Sequence, residues 1–283
     1  MGRESLYARG EVISSIKHPA VVAARQSLGQ VGGQAATSFF ADGARLVSQA
    51  LQSPLPVERV FFLDPVEGEE AVLLRQARAG AAECWVVTRG VFFRILGLGY
   101  ETAVRTLAVV TRPTSPDLCA LLEGDVCALV GEGIQDPRNV GVLIRTADAW
   151  GLPGVVFSQD SADPYCRGSV RSSTGSVFRV PVTITAHLVE YLERLKERSV
   201  RVIGTSAHAT DACWDVDLSG PAAYVFGNES VGLSAEVEGV CDAVVSVPQY
   251  GGAHSLNVTV AAGIILYEWA RQGRREPPIP GGR

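Results

Sequence analysis

Lysine is nearly absent from this chain. Of its 25 basic residues only Lys17 and Lys196 are lysines, and the other 23 are arginines. Genomic base composition accounts for such a bias, and arginine is also the side chain suited to bidentate phosphate contacts. A basic surplus is missing too. The 25 Lys+Arg face 30 Asp+Glu for a net charge of −5, which argues against a simple electrostatic nucleic-acid binder. The deficit is uneven: residues 1–112 hold 12 basic and 10 acidic residues, net +2, whereas residues 113–283 hold 13 and 20, net −7. Charged residues are only 19% against 47% apolar, so wholesale disorder is excluded and a sizeable core is available.

Other absences narrow the class further. The six cysteines (Cys84, Cys119, Cys127, Cys166, Cys213 and Cys241) form no CxxC pair, so zinc-ribbon and thioredoxin motifs are excluded and reduced cytosolic thiols are expected. His18, His187, His208 and His254 show no HExxH spacing, and no catalytic metal is expected. Gly97–Leu98–Gly99 and Gly131–Glu132–Gly133 lack the third glycine of a dinucleotide fingerprint. Ser230 follows Asn228 rather than the glycine of a nucleophile elbow. Residues 1–11 have no apolar signal-peptide core, and Leu6 stands where a myristoylation signal needs Ser or Thr. The best apolar run, residues 258–269, is shorter than the ~18 residues of a span. The expectation is a cytoplasmic protein with no membrane association.

At 283 residues the chain has room for one large domain or two ordinary ones. Residues 111–116 (TRPTSP) hold two prolines and no apolar residue, which suits a linker. The expected division is a front domain over 1–112, a linker over 113–116, a main domain over 117–276 and a loose tail over 277–283. Residues 1–12 are expected to fray. In front, periodicity predicts helices over 19–28, 40–51 and 70–79 and strands over 57–63, 84–88 and 107–110. Beyond the linker it predicts strands over 126–130, 154–157, 200–204, 223–226 and 243–247, with helices over 140–150, 187–197 and 256–271. Short apolar strands alternating with helices define an α/β fold with a mainly parallel sheet covered on both faces.

Ligands in such sheets bind beyond the carboxyl ends of the strands. The loops there are unusual. Residues 131–145 (GEGIQDPRNVGVLIR) leave a strand through glycines, reach Asn139 as an expected helix N-cap, and carry Arg145 six residues on. Residues 227–234 (GNESVGLS) place Asn228 and Glu229 between Gly227 and Gly232, with Ser234 capping the next helix. Residues 247–257 (VPQYGGAHSLN) set paired glycines before Ser255 and Asn257 at the mouth of the last helix. Singly, each reads as a glycine-rich turn with a cap. Together, Asn139, Glu229 and Asn257 at one sheet edge, with Arg145 nearby, form the signature of a site.

NVGVLIRTADAWG (139–151), FGNESVGLS (226–234) and VPQYGGAHSLNVTVAAGIILYE (247–268) closely resemble, in order and spacing, the three signature motifs of the SpoU (TrmH-type) branch of the SPOUT RNA methyltransferases. RSSTGSVFRVP (171–181) looks like that family's stretch between the first two motifs. In front, ISSIKHPAVVAAR and FFADGARLVSQAL resemble its ribosomal-protein-L30e-like RNA-binding domain. Where that domain carries a Lys-x-Arg cluster before an FxxEGxR element, residues 29–38 here have no charge and Asp42 replaces the glutamate.

The resemblance implies a C-terminal SPOUT domain with a deep trefoil knot, a homodimer formed through that domain, and S-adenosylmethionine (SAM) as cofactor. It also implies methyl transfer to a ribose 2′-hydroxyl of RNA, with 23S rRNA favoured by the separate front domain. A tRNA substrate, or a non-catalytic RNA-binding assembly factor of the same fold, remains the alternative. The implied catalytic set is Arg145, Asn139, Glu229 and Asn257, with Arg145 holding the RNA phosphate, Asn139 fixing Arg145 or that phosphate, and Glu229 orienting Arg145. The implied cofactor pocket takes Thr205, Ser206, Gly227, Asn228, Gly232, Val247, Pro248, Ser255, Leu256 and Asn257. Arg145 and Arg171 are the implied RNA contacts.

Overall fold

A computed structural model describes residues 7, 11–27, 36–80, 82–97, 103–117 and 127–273. The expected frayed start (all but residues 7, 11 and 12), the 277–283 tail, Leu28, most of the uncharged 29–38 stretch, Leu98, Gly99, Cys119 and Val126 lie outside these. The chain forms two compact units. One comprises residues 1–114 together with 165–179, and the other residues 115–164 together with 180–283. The change of unit after Thr114 falls inside the expected linker. The return of 165–179 to the first unit departs from a division into two continuous domains.

The first unit runs α1 (Pro19–Ser27), β1 (Ser38–Asp42), α2 (Ala44–Leu51), β2 (Val57–Leu63), α3 (Gly68–Ala79), β3 (Glu83–Val87), α4 (Arg89–Leu96) and β4 (Thr106–Thr111). Its sheet has the order β1-β4-β2-β3. β4 is antiparallel to both β1 and β2, and β2 is parallel to β3. The helix expected over 40–51 is instead a strand followed by a helix. Phe39 and Ala41 are buried in β1, and Gly43 at φ 94 breaks the chain before α2. That backbone region is open to glycine and strained for other residues. Only Leu46, Val47 and Ala50 keep the helical period and are buried.

The second unit begins with β5 (Cys127–Gly131), α5 (Pro137–Ala149) and β6 (Val155–Ser158). The chain then crosses to the first unit for α6 (Arg167–Ser172) and a single 3-10 turn (Ser176–Phe178). There Phe39 packs on Tyr165 and Phe178, with ring centroids 5.1 and 6.0 Å apart. The fully buried Asp42 carboxylate accepts from Arg167 at 2.8 Å and 2.5 Å and from Arg171 at 3.2 Å.

The second unit resumes with β7 (Val182–Thr185), α7 (Leu188–Glu197), β8 (Arg201–Thr205), β9 (Asp211–Ala212), β10 (Ala222–Phe226), α8 (Ala235–Val240), β11 (Ala243–Ser246) and α9 (Val258–Gln272). Its sheet has the order β7-β6-β5-β10-β8-β11-β9, and every pairing is parallel. α4, β7 and β9 were not expected: the apolar residues of α4 (RGVFFRIL) run together without a clear period, and β7 (VTIT) and β9 (DA) are only four and two residues long. Among the described residues no helix is long and apolar enough to cross a membrane.

β10 lies between β5 and β8, with β6 and β7 to one side and β8, β11 and β9 to the other. The strand order reverses there, which leaves a crevice beyond the carboxyl ends of the strands.

Candidate functional site

A cavity of about 620 Å³ opens in that crevice, a size typical of small-molecule sites. Its wall takes the ends of three strands: Thr205 closing β8 with Ser206 after it, Phe226 closing β10 with Gly227 after it, and Val247 just after β11. Asn228, Glu229, Gly232, Ser255, Leu256 and Asn257 also line it. Pro248, expected in the same pocket, does not line the cavity.

Asn139, Glu229 and Asn257 come together from positions far apart in the chain. Asn139 Nδ2 donates to Glu229 Oε1 at 2.8 Å, and Asn257 Nδ2 donates to Asn139 Oδ1 at 3.2 Å. Asn257 is the N-cap of α9, and its Oδ1 accepts from the Thr259 N–H at 2.8 Å. Asn139 is not the N-cap expected of it. Asp136 caps α5, accepting from the Arg138 N–H at 2.8 Å, and Pro137 follows in the first turn, where its missing N–H costs nothing. Asn139 therefore sits inside the helix and only 8% exposed.

Glu229 docks on the start of that helix. Its carboxylate accepts from the Gln135 and Asp136 N–H groups at 3.1 and 3.3 Å, where the helix dipole favours negative charge. Partial burial opposes its ionisation. The Asn139 hydrogen bond and the backbone donors outweigh that and hold the carboxyl below the ordinary glutamate value.

The 227–234 loop is rigidly built. Asn228 Nδ2 donates to the Gly133 carbonyl at 2.7 Å, and its Oδ1 accepts from the Ser230 and Val231 N–H groups at 2.8 and 3.1 Å. Asn228 and Gly232 also pair through their backbones. A Cβ on Gly227 would collide with the backbone of Gly232 and Leu233, so this glycine is fixed by the closure of its own loop. Gly232 has φ +75 with open space around it. Ser234 accepts from the Val237 N–H at 3.2 Å and caps α8 as expected. Its own N–H donates to Glu132 Oε2 at 3.0 Å. The Gly131–Glu132–Gly133 piece, which fails as a dinucleotide fingerprint, thus serves as a brace for this loop.

Arg145 stands apart from this network. Six residues at 100° each carry it about two-thirds of a turn around α5 from Asn139. It is exposed, does not line the cavity, and makes no hydrogen bond or ion pair with Glu229, Asn139 or Asp148 among the described residues. Arg171 lies in the first unit, half-exposed and paired with Asp42. Several lining residues escaped the sequence reading, Gln249 and Glu238 among them. Gln249 has a buried Oε1 with no hydrogen-bond partner among the described residues, and Glu238 reaches the cavity from α8. Neither has a local sequence signal, because each depends on how α8 and the 247–257 loop meet.

A seven-stranded parallel sheet with a polar chain and a cavity at its carboxyl edge defines an α/β protein with a small-molecule site built from three loops. The chain belongs to the SpoU rRNA Methylase family, which matches residues 127–267. It is 33% identical over 230 residues to the 23S rRNA (guanosine(2553)-2′-O)-methyltransferase RlmP of Bacillus subtilis, covering 81% of this chain and 87% of that one. It is 30% identical over 261 residues to an uncharacterized tRNA/rRNA methyltransferase of Synechocystis, covering 92% and 93%. The fold matches the crystal structure of the SpoU methyltransferase AviRb from Streptomyces viridochromogenes in complex with AdoMet. That match has a TM-score of 0.79 and 29% identity, and covers 90% of this chain and 99% of that one.

Proposed function

We propose that this protein transfers the methyl group of SAM to a ribose 2′-hydroxyl of RNA, with 23S rRNA as its substrate. The observation that carries the reading is the hydrogen-bonded chain Glu229–Asn139–Asn257 at the rim of the 620 Å³ cavity. It ties the three motif loops into one site, in a family whose relatives include a 23S rRNA 2′-O-methyltransferase.

The cavity fits SAM in size and in chemistry. Its walls include small residues (Gly227, Gly232, Ser206, Ser255) among larger polar and apolar ones, and glycine permits close approach. The orphan acceptor of Gln249 is of the kind an amine on the ligand would satisfy. Thr205, Ser206, Gly227, Asn228, Gly232, Val247, Ser255, Leu256 and Asn257 would hold it. SAM supplies an electrophilic methyl group on a sulfonium, which needs a nucleophile held in line and no covalent enzyme intermediate. A ribose hydroxyl is a weak nucleophile, so the protein's work is to position it and favour loss of its proton. Arg145 is a poor base, since a guanidinium stays protonated. Its role is to grip the RNA phosphate and stabilise the developing alkoxide. Glu229, Asn139 and Asn257 keep the loops in register around the reacting groups.

Arg145 does not reach its own cavity, which favours a homodimer through the second unit. α9 supports this. It buries Ala262, Ile265, Leu266 and Trp269, yet leaves Val260, Ile264 and Tyr267 at 49%, 37% and 59% exposure, spaced to form one apolar stripe. A second copy packed on that stripe is the proposed partner. A trefoil knot in the second unit and an L30e-like RNA-binding role for the first, with Arg171 as a phosphate contact, complete the reading.

The test is methyl transfer from methyl-labelled SAM to 23S rRNA and to tRNA from a strain lacking this protein, with nuclease mapping of the product. Label at one 2′-oxygen of 23S rRNA is expected. Label on a base, on tRNA alone or on neither RNA would overturn the proposal.

A further inference from the structure

A second cavity, of about 560 Å³, lies in the first unit and takes no part in the site above. Its floor is the outer edge of β3, and Tyr7, Ser14, His18, Arg78, Cys84 and Trp85 are among its walls. The Ile13 N–H donates to the Val86 carbonyl and the Thr88 N–H to the Ile13 carbonyl, both at 2.9 Å. Residue 13 therefore pairs with the edge of β3 as an isolated parallel bridge. The backbone groups of Cys84 point to that same edge, and among the described residues no strand meets them.

The indole Nε1 of Trp85 is buried and has no hydrogen-bond partner among the described residues. Native proteins rarely leave a buried donor in that state unless something outside the chain completes it. The imidazole of His18 stands edge-on to the indole, with centroids 5.0 Å apart and planes at 63°. It is held there by its Nδ1, which accepts from the Ala20 N–H at 3.3 Å. Tyr7 is fixed as well, its hydroxyl donating to Asp64 Oδ1 at 2.6 Å and accepting from the Val66 N–H at 3.0 Å. The cavity thus presents two heteroaromatic rings, one unsatisfied N–H donor and the exposed guanidinium of Arg78 at its rim.

We propose that this cavity receives an unpaired nucleobase of the RNA substrate, recognised through the Trp85 indole N–H. The proposal rests on the RNA reading above. Every nucleobase carries a ring nitrogen or carbonyl that can accept from an indole, and unstacked bases pack against aromatic side chains. The front segment, residues 1–112, is also the part of the chain with a positive balance, +2 against −7 for the remainder.

The experiment uses the full chain with ¹⁵N-labelled tryptophan, whose four indoles give separate N–H signals; Trp85→Phe assigns one of them. The probes are the octamers oligo(A), oligo(C) and oligo(U) and the mononucleotides AMP, CMP and UMP. The Trp85 signal should move with at least one octamer. Trp85→Phe, which keeps a ring and loses the donor, should weaken that octamer about tenfold, the scale of one hydrogen bond. His18→Asn, which keeps the cap acceptor, should weaken it several-fold. A Trp85 signal unmoved by every probe overturns the proposal. Equal affinity for octamers and mononucleotides overturns RNA as the source in favour of a free nucleotide. Methyl transfer to total RNA separates this idea from the activity on which it rests. If wild type transfers methyl groups and Trp85→Phe does so with an unchanged KM for RNA, the pocket fails alone. If wild type transfers none while Trp85 still responds to RNA, the activity fails alone.

Discussion

The two units treat their buried polar groups in opposite ways. In the second, Asn139, Asn228, Glu229 and Asn257 satisfy one another and the backbone at the cavity rim. Among the described residues, the buried Asp42 Oδ1, Gln49 Oε1, Trp85 Nε1 and Thr106 Oγ1 of the first unit have no partner, and only Gln249 is in that state in the second. A fully satisfied polar network is rigid and pre-shaped. Orphaned groups are costly and mark places that a ligand or water completes. The satisfied network of the second unit suits preorganised chemistry, and the orphaned groups of the first suit the recognition proposed for it.

The largest effect should come from Arg145, which among the described residues has no bond to the Glu229–Asn139–Asn257 network. Arg145→Ala should lower turnover on 23S rRNA by a factor of about 100 or more, the scale of one lost preorganised donor, while SAM affinity by calorimetry stays near wild type. Arg145→Lys should recover little, because a point charge does not reproduce the planar fork. Near-full turnover in Arg145→Ala would turn attention to His254, which lines the cavity beside Ser255.

Next are the glycines of the 227–234 loop. Gly227→Ala forces a Cβ into the Gly232–Leu233 backbone and should cost about 1–3 kcal/mol of strain together with most SAM binding. Gly232→Ala has space around it and only its φ of +75 to overcome, for about 1–2 kcal/mol. Denaturant unfolding with SAM titration should rank them in that order, and a reversed order would break the account of the loop. A valine at 227 would not report on cofactor contact, because its first carbon already meets backbone.

Glu229→Ala strands the buried Asn139 amide and should destabilise the protein by about 1–3 kcal/mol. Its carboxyl is depressed in the folded state. The stabilisation it gives is therefore fully present above the ordinary value of 4.5 and is lost as pH falls through the lower folded value. The melting-temperature gap between wild type and Glu229→Gln should be constant near neutrality and close only below pH 4.5. A gap that changes between pH 6 and 8 would mean another group is responsible. The smallest effect belongs to the first unit. Arg171→Ala removes a half-exposed guanidinium from the buried Asp42 carboxylate, which keeps its two bonds from Arg167, so the stability loss should be about 1 kcal/mol, and the change should weaken RNA binding several-fold with a shallower salt dependence.

The parallel sheet was legible because its strands are buried on both faces and read as short apolar runs. β2 falls on the expected residues, and β5, β8, β10 and β11 within a residue or two. Asn139, Glu229 and Asn257 were legible as a cluster because each follows a strand at one sheet edge. Their bonding was not. It depends on α5 starting at Pro137 rather than three residues later, which exposes the Gln135 and Asp136 N–H groups to Glu229 and buries Asn139 within the helix. The Asp136–Pro137 pair is the signal that could have shown it. β1 was hidden because Phe40 to Asp42 run without a break into the period of α2, and only the conformation of Gly43 separates them. The place of 165–179 was illegible because α6 (RGSVRS) has no apolar period; it is held by Phe39 and Asp42, more than 120 residues earlier in the chain.

That excursion bears on how such proteins could exchange parts. A front module is ordinarily swapped by cutting the linker that follows it, here near Thr114. A recipient front module lacking counterparts of Phe39 and Asp42 would leave Tyr165 and Phe178 without their ring partners and Arg167 without its carboxylate. Recombination at the linker would then yield a chimera with sticky apolar surface in the middle of its catalytic sequence. Productive exchange requires residues 165–179 to travel with the front module, as a two-piece graft. Lineages that carry one type of front module should therefore inherit the matching internal segment as a unit.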